Sequence, residues 1–360
     1  MKKFLAILLA MVLLVSLVAC GTSEAPAPSP QPPATPPAGD AGTEEPSDAS
    51  TDTWNLRLGT IWNEETPFAA GANAFAQAAY DLSGGRIVVD VFHNSVLGSQ
   101  ADQMANMPLG TVDMMFGDVS TYTVLDGAAA FNIFSAPFLW ENFAEMAAFL
   151  ETDTVAQWQE ASAQETGVRQ LFAGGEADSR QLTANRPIQN ADDFDGLIIR
   201  TAQISLVQMT MQRLGAQPTV IPLADLYMAL RLGTADAQEN GFIGTRNNSF
   251  YEVQSYVMRT NYIRDAYAVY IAERIWEQMN DYDRAILIEA AQVGTQAAET
   301  MTLENVEVAL AYLMEHMTFV EVDIPSIQAQ LEGLLFDFDG DIWPVGTYQV
   351  VRDFLTELRG

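Results

Sequence analysis

Residues 54–92 read WNLRLGTIWNEETPFAAGANAFAQAAYDLSGGRIVVDVF, and three elements follow from them. Trp54 to Thr60 alternates apolar and polar positions (Trp54, Leu56 and Leu58 against Asn55 and Arg57), the period of a strand with one buried face. Thr66 then offers an N-cap hydroxyl with Pro67 in the first turn. Phe68, Ala72, Phe75, Ala79 and Leu82 share one helical face, and Gly84-Gly85 stops the helix. Arg86 to Phe92 is rich in β-branched residues and predicts a second strand.

Beyond this stretch a helix is expected at about Gln100 to Pro108 and a third strand at Val112 to Phe116. Strand, helix, strand, helix, strand at this spacing is the start of a parallel, doubly wound sheet. Helices are predicted at Glu141–Leu150, Val155–Thr166, Ile204–Leu214 and Leu223–Leu230, and strands at Val168–Ala173 and Leu197–Arg200. Gly233 to Asn240 reads as turn-like polar text. From the N-cap Asn280 a helical pattern runs through Ile286, Ala290, Val293, Ala297 and Met301 to about His316 with no proline inside. At 1.5 Å per residue that helix would span about 50 Å, more than one lobe's width, and so predicts a brace between two lobes.

The chain of 360 residues carries 47 Asp and Glu against 17 Lys and Arg, a formal net charge of -30, and is 49% hydrophobic. Such apolar content excludes a disordered chain, and so negative a balance excludes a nucleic-acid partner, which needs clustered cations. The two lysines are Lys2 and Lys3. Phosphate-loop, Schiff-base and Ser-Lys chemistry are therefore excluded. The one cysteine, Cys20, removes disulfides, a thiol nucleophile and cysteine-rich metal sites, and only His93 and His316 offer imidazoles. No G-x-G-x-x-G occurs, and no cofactor or metal site is predicted. The carboxylates Asp337, Asp339 and Asp341 carry their glycine too early for an EF-hand loop, with Tyr348 at the twelfth position, and read as a solvated loop.

Lys2 and Lys3 precede an apolar run from Phe4 to Ala19 that closes in Leu17-Val18-Ala19-Cys20-Gly21. This predicts a lipoprotein signal peptide over 1–19, with Cys20 acylated as a membrane anchor on the outer face of the cell membrane or in the periplasm. Residues 20–52 hold half of the 16 prolines and no cation, the composition of a semi-extended tether. The remaining 308 residues carry 41 acids and 15 arginines, and that size favours two lobes.

Scarce cations in an acidic chain are informative. Arg200 ends the apolar run Leu197-Ile198-Ile199, where a buried guanidinium needs a carboxylate from the protein or from a ligand. Around it stand Arg180-Gln181-Leu182-Thr183, Pro187-Ile188, Asp195-Gly196-Leu197, Leu214-Gly215-Ala216, Asp225-Leu226-Tyr227 and Asp236-Ala237-Gln238-Glu239-Asn240. Earlier come Gly84-Gly85-Arg86, Gly110-Thr111-Val112-Asp113-Met114 and Pro137-Phe138-Leu139. In order and spacing these fragments, covering about Trp54 to Leu358, resemble the solute-binding subunits of tripartite ATP-independent periplasmic (TRAP) transporters, the DctP family.

The resemblance implies an α/β, two-lobed, periplasmic-binding-protein-like fold (type II-like), with mixed parallel sheets flanked by helices and a long helix spanning both lobes. Lobe I would take 54–177 plus about 266–305, and lobe II 178–265 plus about 306–360. It implies a receptor, not an enzyme, that captures a small organic acid and passes it to integral-membrane permease subunits. Arg200 would pair with the ligand carboxylate, Arg180 would assist and Asn240 would hydrogen-bond the same group. Trp62, Glu64 and Phe68 after the first strand, Phe116 with Gly117 and Asp118 at the third, and Phe242 with Arg246 beyond Asn240 are further expected contacts. Gly241 stands where the family usually has proline, and Tyr262 where it commonly has histidine. Two other readings stay open: a secreted hydrolase using paired carboxylates, and a receptor for an ATP-driven importer or a sensor.

Overall fold

The protein is described here, over residues 51–360, from a computed structural model. The expected signal peptide, Cys20 and the tether as far as residue 50 lie outside the described residues.

Two sheets organise the chain. The first contains β1 (Trp54–Gly59), β2 (Ile87–Phe92), β3 (Met114–Asp118), β4 (Val168–Glu176) and β10 (Ala266–Ala272) in the order β2-β1-β3-β10-β4. β1 runs parallel to β2 and β3, as the opening strand–helix–strand pattern requires, whereas β10 is antiparallel to both β3 and β4. The second contains β5 (Arg180–Ala184), β6 (Ile198–Thr201), β7 (Gln217–Val220), β8 (Ala237–Asn240), β9 (Tyr256–Ile263) and β11 (Thr318–Val320) in the order β11-β9-β5-β8-β6-β7. β6 is parallel to β7 and β8, and β5 is antiparallel to β8 and β9. The chain thus passes from the first sheet to the second at 177–179 and returns at 264–265.

Helices cover both sheets: α1 (Pro67–Leu82), α2 (Gln100–Asn106), α3 (Phe143–Leu150), α4 (Asp153–Thr166), α5 (Ser205–Arg213), α6 (Leu223–Arg231), α7 (Phe242–Asn247), α8 (Glu273–Trp276), α9 (Asp281–His316), α10 (Ile324–Gln330), α11 (Leu334–Asp337) and α12 (Thr347–Arg359). Thr66 caps α1 as expected, its hydroxyl accepting from the Ala69 N–H. Asn280 caps α9 at Asp283 N, and its 36 residues make a rod of about 54 Å. α9 lies on α1 and β4 of the first lobe and on α7 and β11 of the second, spanning both. It crosses α1 where Gly71 meets Gly294. A Cβ on Gly71 would sit 2.8 Å from the Gly294 carbonyl oxygen and 2.3 Å from Phe116 Cζ, so only glycine permits this approach.

Among the described residues β5, β7, β9 and β11 were not assigned as strands from the sequence, and two further strands depart from it more sharply. Gly233 to Asn240 is not all turn: 237–240 is β8, an inner strand of the second sheet, with all four residues buried. Its polar side chains satisfy one another, Gln238 donating to Thr183 Oγ1 at 2.9 Å and Asn240 to Gln238 Oε1 at 2.6 Å, so hydropathy hides it. β10 was not expected at all. At the other end, α12 packs against α3, and Arg359 grips Glu145 through two bonds of 2.7 and 2.8 Å. The last helix of segment 306–360 therefore lies on elements that cover the first sheet. Among the described residues no helix is long and apolar enough to cross a membrane. Asp339, within the acidic loop, accepts the Gly346 N–H at 2.8 Å and closes a turn.

Candidate ligand-binding site

Arg200 lies on β6 between β7 and β8, and its residue is only 3% exposed. Its Nε donates to the Ile221 carbonyl at 2.7 Å, and no carboxylate among the described residues comes within 4.0 Å of the guanidinium. Burial, helped by the positive charge of Arg180 and opposed by Glu239, pulls its pKa down to about 10. A buried cation with no protein carboxylate beside it is held at an electrostatic disadvantage.

Arg180, at the start of β5, is different. Its Nη1 binds Glu239 at 3.0 and 3.2 Å, and Nη2 faces Asp118 at 3.8 Å and Asp265 at 3.9 Å. Burial works against its charge, yet Glu239, Asp118 and Asp265 outweigh that and hold its pKa above the ordinary value. Tyr262 donates its hydroxyl to Glu239 at 2.9 Å and completes the pair. The charge of Arg180 is answered from within the protein.

Two adjoining cavities lie here, of about 470 and 390 Å³ counting space open to solvent, a size that suits small ligands. They share Trp62, Asp118, Arg180 and Asn240 in their walls. Arg200, Met115 and Gly117 line the second. Phe68, Asp178, Asp265 and Tyr267 line the first. Trp62 stacks on Phe68 with centroids 4.8 Å apart, and Tyr267 meets Phe68 edge-on at 4.9 Å. Of the expected residues, the cavities thus gather Arg200, Arg180, Asn240, Trp62, Phe68, Gly117 and Asp118.

Glu64, Phe116 and Phe242 line neither cavity. Glu64 is exposed. On β3 the alternation of side chains gives Met115 and Gly117 to the cavity and sends Phe116 to the α1–α9 crossing, behind Tyr267 at 6.1 Å. Phe242 packs with Val257, Leu310 and Leu313 under the far half of α9, and Arg246 lies over the Tyr312 ring.

Sequence reasoning missed Asp178, Asp265, Tyr267 and the role of Glu239. Asp178 lies at one passage between the sheets and Asp265 at the other, joined by the Ala177 N–H donating to the Asp265 carbonyl at 3.0 Å. Asp178 Oδ2 accepts from Ile243 N at 2.7 Å, and a Cβ on residue 241 would lie 2.3 Å from that oxygen. Gly241, noted in the sequence as unusual, is the signal that could have pointed to Asp178. Burial pushes the carboxyl of Asp178 up to about 7; burial and the nearby charge of Asp118 push that of Asp265 up to about 8.

Comparison with known proteins agrees with this architecture. The family model for bacterial extracellular solute-binding proteins, family 7 (DctP), matches residues 58–333. A solute-binding protein of Roseobacter denitrificans is 31% identical over 294 residues, 81% of this chain and 89% of that protein. The C4-dicarboxylate-binding periplasmic protein DctP of Rhodobacter capsulatus is 26% identical over 255 residues, 71% of this chain and 76% of that protein. Among solved structures, a TRAP periplasmic solute-binding protein from Roseobacter denitrificans with bound L-galactonate superposes with a TM-score of 0.78 at 28% identity, covering 85% of this chain and all of the other. The two sheets, the spanning helix and the matched sequence together establish that the chain belongs to family 7 of the bacterial extracellular solute-binding proteins, the DctP family of TRAP receptors.

Proposed function

We propose that this protein is the extracytoplasmic receptor of a TRAP-type transporter, that it binds a small organic acid anion between its lobes, and that Arg200 takes the ligand's carboxylate. The observation that carries this is a buried arginine with no protein counter-ion at the wall of an inter-lobe cavity. A planar guanidinium can grip a carboxylate through two parallel hydrogen bonds. Asn240, in the wall of both cavities, is within the same group and offers an amide. Arg180, already paired with Glu239, contributes orientation and field more than uncompensated charge. The carboxylate ligands of the relatives, C4-dicarboxylates and L-galactonate, support the class of ligand.

Binding without catalysis fits the constellation. Closing of the lobes buries the ligand and presents a surface to the permease, which requires that the ligand favour the closed state. Anchoring through an acylated Cys20 rests on residues 17–21 of the sequence. Replacing Cys20 with alanine and following the protein into membrane and soluble fractions tests that part.

The receptor reading is tested by a thermal-shift screen of the purified protein against mono- and dicarboxylates, sugar acids, aromatic acids and amino acids. A ligand at a thousandfold excess over Kd stabilises by about 4 kcal/mol. A carboxylate that shifts the protein but not Arg200→Ala supports the assignment; retained affinity in that variant refutes it.

A further inference from the structure

The charges of the site do not balance for a simple acid. Two cations, Arg180 and Arg200, stand against four carboxyls: Glu239, paired closely with Arg180, Asp118 and Asp265, which face Arg180 only at 3.8 and 3.9 Å, and Asp178 in the wall of the adjoining cavity. Two of those acids have oxygens short of partners. Asp178 Oδ1 and Asp265 Oδ2 are buried without a hydrogen bond, the Asp265 residue being 3% exposed and its Oδ2 no nearer than 3.9 Å to Arg180. Asp118 spends Oδ1 on Ser120 and Thr121, and its Oδ2 stands 3.8 Å from Arg180. The same cavity is walled by Trp62, Phe68 and Tyr267. Carboxylates set among aromatic rings are the chemistry that holds an ammonium group, through charge and through the ring faces.

We infer that the ligand is zwitterionic: its carboxylate sits at Arg200 and a positively charged nitrogen sits in the aromatic-walled cavity among Asp118, Asp178 and Asp265. This rests on the carboxylate-receptor reading above and narrows it. The backbone is shaped for the arrangement, because any side chain at position 241 would collide with the Asp178 carboxylate. In the unliganded site burial pushes Asp178 and Asp265 up to about 7 and 8, so both are partly protonated near neutral pH. An incoming cation stabilises their ionised forms, whereas a plain carboxylate ligand adds one more negative charge to the group.

The test is calorimetric titration of the protein with matched pairs that differ only in ammonium against hydroxyl: 3-aminopropanoate and 3-hydroxypropanoate, 4-aminobutanoate and 4-hydroxybutanoate, glutamate and 2-hydroxyglutarate, with L-galactonate and succinate beside them. The inference expects at least one amino acid to bind tenfold or more tightly than its hydroxy partner and than L-galactonate. It expects Asp265→Asn and, separately, Asp178→Asn to shrink that ratio severalfold, with folding of each variant checked by its melting curve. Hydroxy acids, succinate or L-galactonate binding in an Arg200-dependent way while the amino acids do not would overturn the zwitterion and leave the receptor reading standing. Binding of none of these carboxylates, of either kind, would remove both.

Discussion

Replacing Arg200 with methionine separates the cost of holding this side chain from its use. The pKa near 10, well below that of a free guanidinium, corresponds to about 3 kcal/mol of unfavourable burial at 1.36 kcal/mol per pH unit. Methionine keeps most of the aliphatic length but loses the bond to the Ile221 carbonyl, and an unpartnered carbonyl costs about 1–3 kcal/mol. The ligand-free variant should therefore be as stable as the parent or more stable by up to about 2 kcal/mol, which at about 2 °C per kcal/mol is a rise of 0 to ~4 °C. In the same variant two charge-assisted hydrogen bonds to the ligand are gone, about 1.5–3 kcal/mol each, so affinity should fall by at least ~100-fold. Differential scanning calorimetry with and without a carboxylate identified by screening measures both quantities. A fall of several degrees in the ligand-free protein, joined to unchanged affinity, would show that Arg200 is an ordinary structural cation, and the reasoning would fail.

Three further outcomes are expected. Gly244 lies under Trp62, a Cβ there falling 3.1 Å from Cζ3, so Gly244→Ala should push the two lobes apart at this contact and weaken ligand binding by about 1 kcal/mol, roughly fivefold, while leaving the ligand-free melting temperature unchanged or raised; unchanged affinity in titration would refute a tight contact. Asp178 and Asp265 hold protons in the folded state well above the ~3.9 of an unfolded Asp, so their contribution to stability is complete below about pH 4 and is lost as pH rises towards 7 and 8; melting temperature in carboxylate-free buffers should fall over that range, and less steeply in Asp265→Asn. Asp113, held below the usual carboxylate range against its burial by Arg57 and Arg274, acts in the opposite sense and loses its contribution only as pH drops below about 4. Arg359→Ala should lower the melting temperature by a few degrees, about 1–3 kcal/mol, because Glu145, whose side chain is 7% exposed, is left without its cation; adding Glu145→Gln should restore part of the loss, and no restoration would mean the damage lies elsewhere in α12.

Local pattern carried the reading of this protein wherever one element met one solvent boundary. β1, α1, β2 and the capped α9 were legible because their apolar residues recur at one period and their ends carry Thr66, the glycine pair and Asn280. β8 was not, because its buried groups are polar and find partners 55 residues away in sequence at Thr183. β10 reads AYAVYIA, a buried run without alternation, and such a run carries no period to detect. In the site, Arg200 was legible as a cation at the end of an apolar strand. Arg180 looked equivalent, and only the fold brings Glu239, 59 residues on, against it. The ring of Phe116 belongs to the α1–α9 crossing and that of Phe242 to a satellite core, a distinction between lining and packing that the residue type does not contain.

The place of β10 between β3 and β4 bears on how the chain reaches this form. Its two neighbours leave the ribosome first, and about 150 residues separate the end of β3 from the end of β10. At roughly 5–20 residues per second, that is on the order of 8–30 s during which β3 has an edge with no partner and the first sheet stays open. Threaded N-terminus first, the chain therefore holds incomplete sheet edges until its second lobe has largely emerged, and a holding chaperone or a late start to folding suits it better than folding as it is made.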